Sequence, residues 1–176
     1  MDSYLQRLAT LHAELGIPPD YAATRGLSPC EEAATLVPLG IDALERDQFA
    51  DADAAAAWLR MRDAAMADGI GLEFVSVFRS VDYQAGIIRR KLSKGLPMSD
   101  ILAVSAAPGY SEHHTGRAFD LTVAGAPPLE TVFEETAAFT WLTQRATEFG
   151  FYLSYPRGNP QGFIYEPWHW LYRASA

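Results

Sequence analysis

The amino-acid sequence predicts an α+β fold in a single domain, residues 1–176, built on a central antiparallel sheet with helices packed on it. Three observations carry this reading. A chain of 176 residues that is 49% hydrophobic and 12% aromatic is long and apolar enough for one compact core. Segments of helical and of strand periodicity are interleaved up to about residue 150. The last strand candidates then follow one another at hairpin spacing, which favours antiparallel neighbours over parallel βαβ units.

The elements follow in order. Leu5, Leu8, Leu11 and Leu15 mark an amphipathic N-terminal helix. Residues 16–40, rich in Pro and Gly with apolar residues interspersed, predict irregular chain wrapped on the core. Residues 1–70 therefore read as a helical and irregular N-terminal part, and 71–173 as the core that carries chemistry. Ala54, Ala57, Trp58, Met61 and Ala65 place a helix over 53–68, stopped by Gly69. LEFVSVF, 72–78, is β-branched and aromatic and predicts a buried strand. In VDYQAGIIRRKLSKG a second helix carries Tyr83, Ile87, Ile88 and Leu92 on one stripe and ends at Gly95. Arg79 thus stands at a strand's C-terminal end, where side chains often face a cleft.

In RAFDLTV, Phe119, Leu121 and Val123 alternate with Ala118, Asp120 and Thr122, so Asp120 points away from the apolar face. Thr131 followed by Glu134 has the form of a capping box opening a helix that Gly150 closes. FYLSY, GFIY and WHWLY are the closing strand candidates, with PRGNPQG as a turn.

A net charge of -8 disfavours nucleic acid and anionic lipid as partners. The basic cluster Arg89, Arg90, Lys91 and Lys94 reads as a solvated helix end, where cations complement the helix dipole. The single cysteine, Cys30, forms no internal disulfide. The chain has neither an apolar run of membrane-spanning length nor a signal peptide's basic start and apolar centre. As written it belongs in the cytosol, unless another route exports it or a leader has been trimmed.

The chemistry concentrates in 111-SEHHTGRAFDL-121, which holds two of only four histidines. A catalytic zinc takes three protein ligands, commonly His nitrogen and carboxylate oxygen, and leaves one position for water. A turn at Gly116 would bring a loop histidine back over the strand carrying Asp120. A third ligand must come from afar. His12 lies on the N-terminal helix, whereas His169 in WHWLY faces away from Trp168, Trp170 and Tyr172. Glu166, three residues before it, is placed as a general base beside such a site. Singly, each of these residues also fits a structural role: a hydrogen-bonded histidine, a turn cap at Glu166 or Ser111, a salt bridge at Arg79, a solvated Gln84. The joint pattern is what those roles leave unexplained.

SEHHTGRAFD, 111–120, resembles the Ser-x-His-x-x-Gly-x-Ala-x-Asp signature of the zinc D-alanyl-D-alanine carboxypeptidases, relatives of the vancomycin-resistance D,D-peptidases in the fold group of lysostaphin and hedgehog. EPWH, 166–169, resembles their Glu-x-x-His signature, and VFRSVDYQ their Tyr-Arg-Ser followed by Gln, with Phe78 in place of the usual tyrosine. The matches run in the family's order from Leu72 to Tyr172, and the first 70 residues carry none.

The resemblance implies one zinc ion in a cleft of the sheet, held by His113, Asp120 and His169, with Glu166 as the catalytic base. It implies that Arg79 stabilises the oxyanion and binds substrate, and that Gln84 and Ser111 contact its terminal carboxylate. His114 falls on a variable position and reads as loop. The implied activity is removal of the terminal D-alanine from peptidoglycan stem peptides or precursors. Within enzymes, L,D-carboxypeptidase, D-Ala-D-Ala dipeptidase and endolysin-type endopeptidase are the alternatives. Outside them stands a non-catalytic zinc or cell-wall-binding module, against which the retained Glu166 argues.

Overall fold

The computed structural model describes residues 3–174. Its centre is a four-stranded sheet in the order β3-β4-β6-β5, antiparallel throughout. The strands are β3 (Leu72–Ser76), β4 (Ala118–Val123), β5 (Phe151–Leu153) and β6 (His169–Tyr172). A separate hairpin pairs β1 (Val37–Ile41) with β2 (Asp47–Ala50). The helices are α1 (Ser3–Leu15), α2 (Tyr21–Arg25), α3 (Ala52–Ala67), α4 (Val81–Ser93), α5 (Met98–Val104) and α6 (Ala137–Arg145). Among the described residues no helix is long and apolar enough to cross a membrane.

One face of the sheet is apolar because Phe74, Phe119, Leu121, Phe151 and Trp170 point there, and α3 and α6 cover it with Trp58, Met61, Trp141 and Leu142. Trp58 stacks on Phe119 with ring centres 5.6 Å apart. A second core joins α1, α2, α4 and α5 through Leu15, Tyr21, Ile88 and Ile101. Between the two cores the opposite face of the sheet is left to polar side chains, and there the cleft forms.

Several expectations need correction. Residues 16–40 are not wholly irregular, because they contain α2 and most of β1. The helix after Thr131 does not begin at a capping box: residues 131–135 form a 3-10 turn, and α6 is capped by Thr136, whose hydroxyl accepts from the Phe139 N–H at 3.1 Å. A Thr at 136 thus satisfies an orphan amide in the first turn, the role expected of Thr131. GFIY forms no strand; its Ile164 N–H bonds instead to the Ala103 carbonyl in the last turn of α5. On α4 the buried face is Val81, Gln84, Ala85 and Ile88, so Tyr83 is exposed and Gln84 is not solvated.

Candidate metal centre

The metal-binding candidates converge because of strand register. Asp120 on β4 lies directly opposite His169 on β6, and Ser76 on β3 opposite Asp120. Cross-strand partners share a face, so Asp120 and His169 both leave the apolar side and meet in the cleft. His113 arrives from a 3-10 turn, Glu112–Thr115, closed by Gly116 at φ +67°. A Cβ on Gly116 would lie 2.7 Å from the Asp51 nitrogen, so this tight return against the start of α3 requires glycine. The Asp51 N–H bonds the Gly116 carbonyl at 3.0 Å, and the Asp51 carboxylate caps α3.

His113, Asp120 and His169 are all buried, and one ligand atom from each lies within 4.8 Å of the others. The tautomers are fixed by neighbours. His113 Nδ1–H donates to the Val77 carbonyl, which leaves Nε2 as a buried lone pair without a hydrogen-bond partner, 3.2 Å from Asp120 Oδ2. A lone pair facing a carboxylate oxygen repels it unless a cation lies between them. His169 Nε2–H donates to Glu112 Oε2 at 2.8 Å, and its Nδ1 sits 3.1 Å from Asp120 Oδ1. Two nitrogens and a carboxylate converging in this way form a donor set that suits zinc.

Burial and close opposite charges set the electrostatics of the cluster. Burial, then Arg79, pushes the His113 imidazole down to about 4. Burial would lower His169 too, but its hydrogen bonds to Asp120 and Glu112 carry it up to about 10. Burial would raise Asp120; His113 and His169 overcome it and hold the carboxyl far below the usual range. Glu166 Oε2 stands 3.8 Å from His169 Nδ1, and burial raises its carboxyl to about 7. That is the range a general base needs at neutral pH.

These groups line a cleft of about 320 Å³ together with Arg79, Gln84, Lys91, Ser111 and Tyr155. Arg79 is anchored through its backbone, whose N–H bonds the His113 carbonyl and whose carbonyl accepts from His114 Nδ1–H. Its guanidinium reaches Asp120 Oδ2 at 3.8 Å, while its Nε has no hydrogen-bond partner. Gln84 donates to the Ala106 carbonyl at 2.8 Å and leaves Oε1 unpartnered. His114 spends both ring nitrogens on backbone, Nδ1 on Arg79 and Nε2 on the Gly109 N–H, so it offers none to a metal.

Sequence reasoning missed Glu112. Its carboxylate accepts from His169 Nε2–H and from the Ser154 hydroxyl at 2.6 Å, and burial's upward pull is outweighed by the His169 hydrogen bond, so its pKa is lowered. A carboxylate in this position fixes which nitrogen a histidine presents. Its position beside His113 was visible, but the partnership across 57 residues was not.

Residues 47–175 match the family model described as VanY: D-alanyl-D-alanine carboxypeptidase. YodJ of Bacillus subtilis is 30% identical over 168 residues, covering 94% of this chain and 59% of YodJ. The chain thus spans less than two thirds of that relative's length. Among solved structures, the fold is similar to the LdcB LD-carboxypeptidase, at 32% identity and a TM-score of 0.72 over 80% of this chain and 69% of that one. It is also similar to the vancomycin-resistance D,D-pentapeptidase VanY in complex with Zn(II), at 26% identity and a TM-score of 0.64 over 83% and 82%. With the match extending from β2 to residue 175, the protein belongs to the VanY family of D-alanyl-D-alanine carboxypeptidases.

Proposed function

We propose that this chain is a zinc-dependent carboxypeptidase that removes the terminal D-alanine from peptidoglycan stem peptides or their precursors, with D,D specificity. The observation that carries the reading is the buried His113, Asp120 and His169 cluster with Glu166 beside it at the floor of the cleft. His113 through Nε2, His169 through Nδ1 and the Asp120 carboxylate would hold zinc. When bound, zinc supplies Lewis acidity to the scissile carbonyl and lowers the pKa of a water toward about 7.

The chain's own residues do the rest. Glu166, buried and close to His169, accepts the proton of the attacking water and returns it to the leaving amine. Arg79 lies against Asp120 with free N–H groups and stabilises the oxyanion; a guanidinium stays charged and can fork onto oxygen. Arg79, Gln84 and Ser111 line the part of the cleft where the terminal carboxylate would sit. Tyr155 and Trp168 add apolar wall that thins the water around the reacting bond.

A second reading, L,D specificity, draws support from the likeness to the LdcB LD-carboxypeptidase. Incubating the purified protein with pentapeptide and tetrapeptide stems, with and without a chelator, and reading the products by mass separates the two. Loss of D-alanine from the pentapeptide alone supports D,D cleavage, and loss from the tetrapeptide supports L,D cleavage. Turnover indifferent to the chelator, or a protein that takes up no stoichiometric zinc, refutes both.

A further inference from the structure

The basic cluster at the end of α4 is not one solvated group. Arg89 is exposed and 3.9 Å from Glu14, Arg90 is exposed with its guanidinium 5.8 Å from the Tyr83 ring centre, and Lys94 is exposed. Lys91 turns the other way. It continues the stripe of Gln84 and Ile88, at spacings of four and three residues, so it shares the face that Gln84 presents to the cleft. Its ammonium donates to the Ser105 hydroxyl at 2.8 Å, one residue before the carbonyl that holds the Gln84 amide.

Among the described residues no carboxylate forms an ion pair with Lys91. Burial and then the positive charge of Arg79 lower its pKa, and Glu166, beyond ion-pair distance, offsets them only in part. A half-buried cation with no ion-paired carboxylate raises the free energy of an empty cleft and favours an anion in it. One of the three ammonium hydrogens is committed to Ser105, and two remain.

We infer that Lys91 is a specificity-determining residue: with Arg79 it forms a two-cation receptor for the free α-carboxylate of the substrate's last residue, so the cleft takes chain ends and rejects chain interiors. This rests on the peptidase reading above. An internal peptide or a C-terminal amide presents a neutral carbonyl there and leaves Lys91 without a counter-ion, which penalises endopeptidase binding.

The test compares wild type with Lys91→Met, which keeps the aliphatic stem and removes the charge, on a stem pentapeptide as free acid and as C-terminal amide. For the acid, KM should rise roughly 10- to 100-fold, the size of one charge-assisted hydrogen bond. The kcat should stay within a few-fold, zinc content should not change, and the preference for acid over amide should shrink by the same factor. Lys91→Arg should keep that preference, and Lys91→Gln serves if the Met variant does not fold. A folded, zinc-loaded variant with wild-type KM and wild-type preference overturns the inference alone, as does a loss confined to kcat. Wild-type protein that cleaves neither peptide overturns the peptidase reading and this inference together.

Discussion

Replacing Glu166 by Gln separates what the carboxylate does for catalysis from what it costs the fold. Gln keeps the shape but neither accepts the proton nor ionises. If Glu166 is the base, kcat should fall roughly 10²- to 10⁴-fold while the protein still takes up one zinc. In the metal-free protein, burial carries the Glu166 carboxyl from 4.5 to about 7. Below pH 4.5 it is protonated whether the chain is folded or not, and it contributes no pH dependence. Between 4.5 and 7 the unfolded chain ionises first, so the native state binds more protons and stability falls as pH rises. Above 7 the deficit is constant at about 3 kcal/mol, taking about 1.4 kcal/mol per pKa unit. Gln carries no such deficit. Urea denaturation of chelator-treated wild type and variant at pH 5 and pH 8 should show the variant's advantage growing across that interval. A gap that is the same at both pH values refutes the assignment of the buried charge, and near-wild-type turnover removes Glu166 from the mechanism.

Two further outcomes follow from the same cluster. Glu112→Ala frees the His169 ring and leaves its Nε2–H unpaired, so zinc affinity measured by chelator competition should drop roughly 10- to 100-fold; unchanged affinity would make Glu112 a bystander. In the metal-free protein His169 is protonated up to about 10, stabilising the fold below 6.5 and losing that contribution as pH rises through 10. Zinc needs a free Nδ1 lone pair, so binding at pH 8 should release about one proton. Calorimetry in two buffers of different ionisation enthalpy measures it, and buffer-independent heats would contradict a protonated His169 in the metal-free protein at that pH.

Asp120 and His169 were legible from local alternation, whereas His113, Ser111 and Gln84 were singled out by the family resemblance. Asp120 alternates against Phe119 and Leu121, and His169 against Trp170, so the face each takes follows from period two, although Trp168, just ahead of β6, lines the cleft with His169. The Gly116 turn had a single sterically permitted residue. What escaped the sequence was partnership across distance. Nothing in EHH distinguishes Glu112, which binds His169, from an exposed loop acid, since the register pairing Asp120 with His169 is a property of two strands 49 residues apart. Lys91 escaped for a different reason. Cations in a helix's last turn are normally solvated, and only the packing of α5 and the 105–106 segment beside α4 turns one of them inward. By the same local logic Gln84 is eligible for solvent, yet it is 1% exposed.

The hairpin ahead of α3 shows why a chemistry-bearing core beginning at residue 71 would be incomplete. Asp42 is buried, and its carboxylate accepts from the Leu44 and Arg46 N–H groups, the Arg46 guanidinium and Gln48 Nε2. Gln48 in turn accepts the Val77 N–H at 3.0 Å through Oε1, and the Val77 carbonyl accepts from His113 Nδ1–H. The Val77 carbonyl can only accept, so it sets the His113 tautomer: with Nδ1–H committed to it, only Nε2 can face Asp120. The hairpin holds the Val77 backbone in one orientation, since reversing the Gln48 amide would set its N–H groups against the Val77 N–H and its oxygen against the Asp42 carboxylate. The β1–β2 hairpin and Asp51 therefore hold two sides of the metal loop, one through Val77 and the other through Gly116. The hairpin thus positions the backbone carbonyl that decides which nitrogen of His113 is available to a metal.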